Sequence, residues 1–320
     1  MDYLKVKGLS KPVSKIIMGT AWFHLGDENE IDEMLDIYIN EGGNVLDTGR
    51  FYGNGTSEGL LYKWLRRSGK RDQVYIMDKC CHPFIDRSGK HHPIRWRVSP
   101  EFITEDLIYS LNNVGVDYFD LYLMHRDDPK IPVAELMDRL EQHYREGLIK
   151  AYGVSNWQLP RIKEAMEYCD RMGYYGLSVN SAAYSLATVK VPRWPGCVYG
   201  DDQYAKWHKE NDLPLFAWGS QGAGFFAGIY PTDGTAPRDI QEAYFTDENF
   251  EKLRRCQELG AEKGLEPINI ALAYVLSQAV PVAAIIGSRS KDELYSSLNV
   301  FKVKLTPAEI EYLSLRSDAR

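Results

Sequence analysis

The chain has 320 residues, 44% of them hydrophobic and 26% charged, with 26 Gly and 15 Pro. That composition excludes a disordered chain, a collagen-like repeat and a coiled coil, and the length allows a sizeable buried core. The net charge of −7 gives no bulk basic footprint for nucleic acid, and no apolar run reaches the ~18 residues needed to cross a bilayer.

Charges scattered through Met1–Lys7 do not read as an export signal. The cysteines Cys80, Cys81, Cys169, Cys197 and Cys256 are odd in number, which reads as reduced thiols in a cytoplasmic protein. Tyr3 to Val13 predicts a hairpin, followed by a β-rich run from Lys15 to Thr20. A helical pattern over Asp32–Asn40 then leads to a second run, Asn44–Asp47. Thr56–Arg67 leads in the same way to Val74–Met77, and Pro100–Val114 to Tyr118–Met124. Val133–Glu146 precedes Lys150–Val154, Leu159–Met172 precedes Leu177–Asn180, and Asp201–Glu210 precedes Leu213–Trp218. Phe250–Lys263 and Ile268–Ser277 precede Val282–Gly287, and Thr306 caps a last helix.

Eight alternations of strand and helix predict a parallel sheet closed as a (β/α)8 barrel, read here as one domain over residues 1–320. No Gly-x-Gly-x-x-Gly follows the first strand, which removes the main support for an open dinucleotide-binding sheet. Three connections, 80–98, 182–200 and 219–247, are long, aromatic and rich in Gly or Pro. All three follow strands, so in a barrel they belong to the catalytic rim.

Polar residues recur at the strand ends: Asp47 after the second run, Lys79 after the third, His125 after the fourth, with Tyr52 in reach of Asp47. Each alone reads more readily as a rim charge or a structural ring, but the joint pattern points to one catalytic mouth. The segments Asn44-Val45-Leu46-Asp47-Thr48-Gly49-Arg50-Phe51-Tyr52-Gly53, Asp120-Leu121-Tyr122-Leu123-Met124-His125 and Gly153-Val154-Ser155-Asn156 resemble the aldo-keto reductase family in order and spacing. The resemblance runs from about Tyr3 to about Arg316. It implies a tetrad of Asp47, Tyr52, Lys79 and His125, with Tyr52 as general acid or base in the interconversion of a carbonyl and an alcohol. A free tyrosine is a weak acid at neutral pH, so Lys79, held by Asp47, is expected to lower its pKa.

The resemblance also implies a nicotinamide dinucleotide, with NADP(H) preferred and NAD(H) as the alternative. Thr20, Ala21, Asp47, Ser155, Asn156 and Ser181 are expected on its nicotinamide side, with Trp218 stacking on the ring. Gly219, Ser220 and Gln221 are expected over the pyrophosphate, and Gly287, Ser288, Arg289, Glu293 and Ser297 at the adenosine end. Arg289 suits a 2′-phosphate, whereas a carboxylate at Glu293 opposes one.

Trp22, Tyr52, His125, Arg126 and Trp157 are expected to face the substrate, a small-molecule carbonyl compound or a sugar or polyol. Aromatic faces near Asp127 and Asp128 favour the polyhydroxylated class. Cys80, Cys81, His82, His91 and His92 match no zinc spacing, and no metal is expected. Two other readings stay open: a cofactor-binding regulatory module, and an enzyme that oxidises and re-reduces one substrate on bound nicotinamide.

Overall fold

The computed structural model of the protein describes residues 1–84 and 96–320. Strands β1 (Tyr3–Leu4) and β2 (Val13–Ser14) form the expected antiparallel hairpin. The eight apolar runs then become parallel strands: β3 (Ile16–Gly19), β4 (Val45–Asp47), β5 (Tyr75–Cys80), β6 (Leu121–Met124), β7 (Tyr152–Ser155), β8 (Leu177–Ala183), β9 (Leu215–Trp218) and β10 (Val282–Ile286). They close as a barrel in the order β10-β3-β4-β5-β6-β7-β8-β9.

Burial on both faces explains why these runs are continuous and not alternating in hydrophobicity. Ile17, Val45, Met77, Leu121, Leu123, Val179, Phe216 and Ala283 fill the barrel interior, joined by Val6 and Val13 of the hairpin. Their neighbours Ile16, Met18, Leu46, Ile76 and Tyr122 belong to a second cluster between sheet and helices. The hairpin therefore plugs one end of the barrel with two valines.

The helices are α1 (Glu28–Asn40), α2 (Thr56–Ser68), α3 (Pro100–Val114), α4 (Val133–Arg145), α5 (Leu159–Met172), α6 (Asp202–Glu210), α7 (Arg238–Tyr244), α8 (Asp247–Lys263), α9 (Pro267–Leu276), α10 (Lys291–Leu298) and α11 (Pro307–Leu313). Helix α1 starts before Asp32 because the Asp27 side chain accepts from Asn29 N at 2.9 Å. Thr246 likewise starts α8 ahead of Phe250 by accepting from Asn249 N at 3.1 Å. Helix α7 lies within the 219–247 connection, and α10 within the segment expected to hold the adenosine end. Neither is visible as an apolar stripe.

The two-residue alternation of strands decides what reaches the mouth. With Val45, Met77 and Leu123 inside, the same parity turns Asp47, Lys79 and His125 inward at the C-terminal ends of three successive strands. The five cysteines are free thiols. Among the described residues, no helix is long and apolar enough to cross a membrane.

Candidate active site

Lys79 is the hub. Its ammonium donates to Asp47 Oδ1, to the carbonyl of Thr48 at 2.9 Å and to the Tyr52 hydroxyl at 3.1 Å. Tyr52 is carried by a 3-10 turn, Tyr52–Gly55, that breaks at Gly53 and Asn54 with φ near 57° and 53°. From this turn the phenol reaches Lys79 of β5. His125 is anchored by its own amide, which donates to the Cys80 carbonyl at 2.7 Å, and its ring meets the Tyr52 ring edge-on at 5.6 Å. All four expected residues meet at one point.

The electrostatics follow from burial and pairing. Asp47 and Lys79 are each only 3% exposed. Burial opposes the Lys79 charge, but Asp47 and then Tyr52 outweigh it and hold its pKa up at about 12. Burial, then the charges of His82, Arg126 and Lys79, push His125 well below the ordinary histidine range, so its imidazole is neutral. Tyr52 departs from expectation: burial raises its pKa and outweighs the lowering by Lys79. Part of that ammonium's field is already spent on Asp47, so the phenol stays protonated at neutral pH.

Of the residues expected on the nicotinamide side, Ser155, Asn156 and Ser181 are buried. Asn156 is held at φ 60°; its amide donates to the His125 carbonyl at 3.2 Å and its oxygen accepts from Trp218 Nε1 at 3.2 Å. Ser181 donates to the Phe216 carbonyl at 3.0 Å. Ser220 donates to the Ile285 carbonyl at 3.1 Å, and Gln221 donates to Ser297 at 3.2 Å, tying the loop after β9 to α10. Glu293 accepts from the Arg289 amide at 2.8 Å.

Two residues expected to face the substrate lie elsewhere. Trp22 packs beneath the Arg289 guanidinium and against Gly287, where a Cβ would meet its ring at 3.2 Å. It therefore sits with the residues expected at the adenosine end. Trp157 has no exposed surface, and its indole donates to the Arg126 carbonyl at 3.4 Å, so it supports Arg126 from below. The acids expected to bind hydroxyls are also engaged. Asp127 takes two bonds of 3.0 Å from Arg161, and Asp128 accepts from Lys130 N at 3.1 Å. The pairing of Asp127 weakens the carboxylate argument for a polyol.

Sequence reading overlooked Tyr199 and His82 as parts of the mouth. Tyr199 lies edge-on to Trp218 with ring centroids 5.5 Å apart, and Trp194 meets the same ring at 5.9 Å. His82 lies 4.7 Å from the His125 ring and 5.4 Å from Phe51. Its place directly after β5 was the available signal, obscured by the cysteine pair before it. His91 and His92 lie outside the described residues, among which no group of three His, Cys, Asp or Glu could hold a metal ion.

A family model described as the Aldo/keto reductase family matches residues 15–315. The chain belongs to that family. Among aldo-keto reductase relatives it is 25% identical over 313 residues to the uncharacterized oxidoreductase YrpG of Bacillus subtilis (strain 168), covering 95% of this chain and 92% of that one. It is 24% identical over 274 residues to the aldo-keto reductase yakc [NADP(+)] of Schizosaccharomyces pombe (strain 972 / ATCC 24843), covering 83% and 76%. The solved structure of the glycerol dehydrogenase AKR11B4 from Gluconobacter oxydans shares the fold with a TM-score of 0.78 and 23% identity, covering 98% of this chain and 95% of that one. Membership makes the chain an oxidoreductase of NAD(P)-dependent carbonyl chemistry on small molecules.

The mouth fits such a cofactor. Among the described residues, Thr20 Oγ1 and His125 Nδ1 are buried without a hydrogen-bond partner, a state that a polar ligand relieves. At Gly219, φ 63° aims the missing Cβ into open space, with no atom within 4 Å. A diphosphate can lie close to backbone there.

Proposed function

We propose that this protein interconverts a small aldehyde or ketone and its alcohol, with Tyr52 as general acid and base. The observation that carries the reading is the ammonium of Lys79, shared between Asp47 and the Tyr52 hydroxyl. The nicotinamide, when bound, supplies or takes the hydride. The protein's own residues handle the proton and the oxygen. Tyr52 donates its phenolic proton to the carbonyl oxygen as negative charge develops there, and takes it back in alcohol oxidation. Lys79 donates to the same phenol oxygen, which favours the phenolate as it forms. Neutral His125 offers a ring N–H to the substrate oxygen, preorganised before the charge appears.

NADP(H) is the cofactor we assign, through Arg289, with Glu293 tempering the preference over NAD(H). Ser155, Asn156, Ser181 and Trp218 would hold the carboxamide and ring, and Gly219 to Gln221 and Gly287 to Ser288 the diphosphate. The free thiols support a cytoplasmic setting.

Fluorescence titration of wild type and Tyr52→Phe with NADPH and NADH, followed by turnover of a carbonyl panel, tests the reading. Both proteins should bind nucleotide, while the variant loses turnover by about 10²–10⁴-fold. Equal turnover by the two proteins would dismiss Tyr52 as the proton donor.

A further inference from the structure

Arg126 follows His125 directly and is only 5% exposed. One Nη1 proton goes to the His125 carbonyl at 2.8 Å, and among the described residues the buried Nε has no partner. A buried guanidinium is costly without an opposite charge near it. The cations around it already have theirs: Lys79 has Asp47, Arg161 has Asp127, and Arg193 has Asp239. Arg126 has no carboxylate within ion-pair distance among the described residues.

Its position is built, not incidental. Trp157 donates to its carbonyl from below. Above it, a Cβ on Gly196 would lie 2.5 Å from the Trp96 ring and 3.4 Å from Arg126 Cδ. Only a glycine there lets Trp96 and the 182–200 connection approach the side chain this closely. The charge reaches the reacting groups, since it contributes to the fields at Tyr52 and at His125. It stands across the barrel from Gly287 and Ser288 of the expected diphosphate residues, because β6 is diametrically opposite β10 in the closed order.

We infer that the substrate is a carbonyl compound bearing a carboxylate, and that Arg126 pairs with the carboxylate while Tyr52 and His125 hold the carbonyl oxygen. This inference rests on the carbonyl reading above. A single unmatched cation suits one negative charge, which favours a carboxylate over a phosphate. The planar guanidinium presents Nε and an Nη in the fork that a carboxylate accepts.

The test has two readouts on wild type, Arg126→Leu and Arg126→Lys. The first is binding of benzoate and benzamide, followed by tryptophan quenching, which needs no turnover. The second is kcat/KM for succinic semialdehyde against butanal, with NADPH affinity measured in the same samples. In the wild type, benzoate should bind better than benzamide and succinic semialdehyde should react faster than butanal. Each ratio should fall by about 10- to 100-fold in Arg126→Leu and recover in part in Arg126→Lys. Ratios that do not respond to Arg126→Leu overturn the inference, and if butanal still turns over, the oxidoreductase reading survives it. Benzoate binding that depends on Arg126, with nucleotide bound but no carbonyl reduced, would uphold the anion site and remove the reaction instead.

Discussion

The guanidinium of Arg289 lies over the indole of Trp22, 4.4 Å from the ring centroid. Trp22 follows β3 and Arg289 follows β10, neighbours in the closed barrel, so the contact joins the loops on either side of one seam. The Arg289 backbone is fixed in turn by the Glu293 carboxylate. At the adenosine end proposed above, arginine and carboxylate would act together, with opposite effects on a 2′-phosphate. Arg289→Leu should weaken NADPH binding more than NADH binding. Glu293→Gln should shift the ratio toward NADPH by a few-fold, an effect that shrinks as salt rises because Glu293 is exposed. Titrations at two salt concentrations check this, and an NADPH-to-NADH ratio indifferent to both changes would detach this loop from the 2′-position.

The Asp47–Lys79 pair makes a prediction about stability that is separate from catalysis. Asp47 is 3% exposed, so Lys79→Met strands a buried carboxylate. Removing one partner of such a pair costs about 3–5 kcal/mol. Adding Asp47→Asn should return part of that loss while activity stays absent. Urea denaturation of the two single variants and the double variant measures the coupling. A double variant no more stable than Lys79→Met alone would show that the pair does not account for the loss.

The barrel strands were legible because each is a short apolar run buried on both faces, as Ile16, Ile17 and Met18 are in β3. Parity then turned Asp47, Lys79 and His125 to one side with no further information. Helix α10 was less legible, since its apolar content is small, although Ser290 and Glu293 have the spacing of an N-terminal cap. Side-chain partners across loops were not legible at all. Arg126-Asp127-Asp128 reads as a set of polar groups at the mouth, yet Asp127 turns to Arg161, 34 residues on. What leaves Arg126 unmatched is therefore tertiary packing. The placements of Trp22 and Trp157 have the same origin, because loop conformation, not strand parity, aims both rings.

Gly153 sits where β7 and β8 change register, between Tyr152 and Val154. A Cβ there would lie 2.3 Å from the Val179 carbonyl oxygen, a main-chain atom that has nowhere to retreat inside the barrel wall. Gly153→Ala should therefore destabilise by about 2–4 kcal/mol and lower the urea midpoint without changing the slope. Gly59→Ala in α2 is the opposite case, since its Cβ meets only Asn113 Oδ1 at 3.9 Å. There the helix should gain about 0.5–1 kcal/mol. A tolerated Gly153→Ala would mean that the two strands can separate at that register shift.

Asp78 points away from the mouth, between β5 and the helices outside it, and is fully buried beside Glu58 of α2. Burial first, and the Glu58 carboxyl second, hold Asp78 well above the usual carboxylate range; burial also raises Glu58. Below the unfolded pKa of about 4, Asp78 is protonated in both states and costs nothing. As pH rises, the unfolded chain ionises first and is stabilised, so the fold loses stability until pH passes the folded pKa. An uncharged amide removes that loss. Asp78→Asn should leave Tm little changed near pH 4 and raise it by about 2–4 °C or more at pH 8. Thermal unfolding of both proteins across that range measures the difference. A Tm difference that stays flat with pH would show that Asp78 is ionised in the folded protein and that its charge is matched.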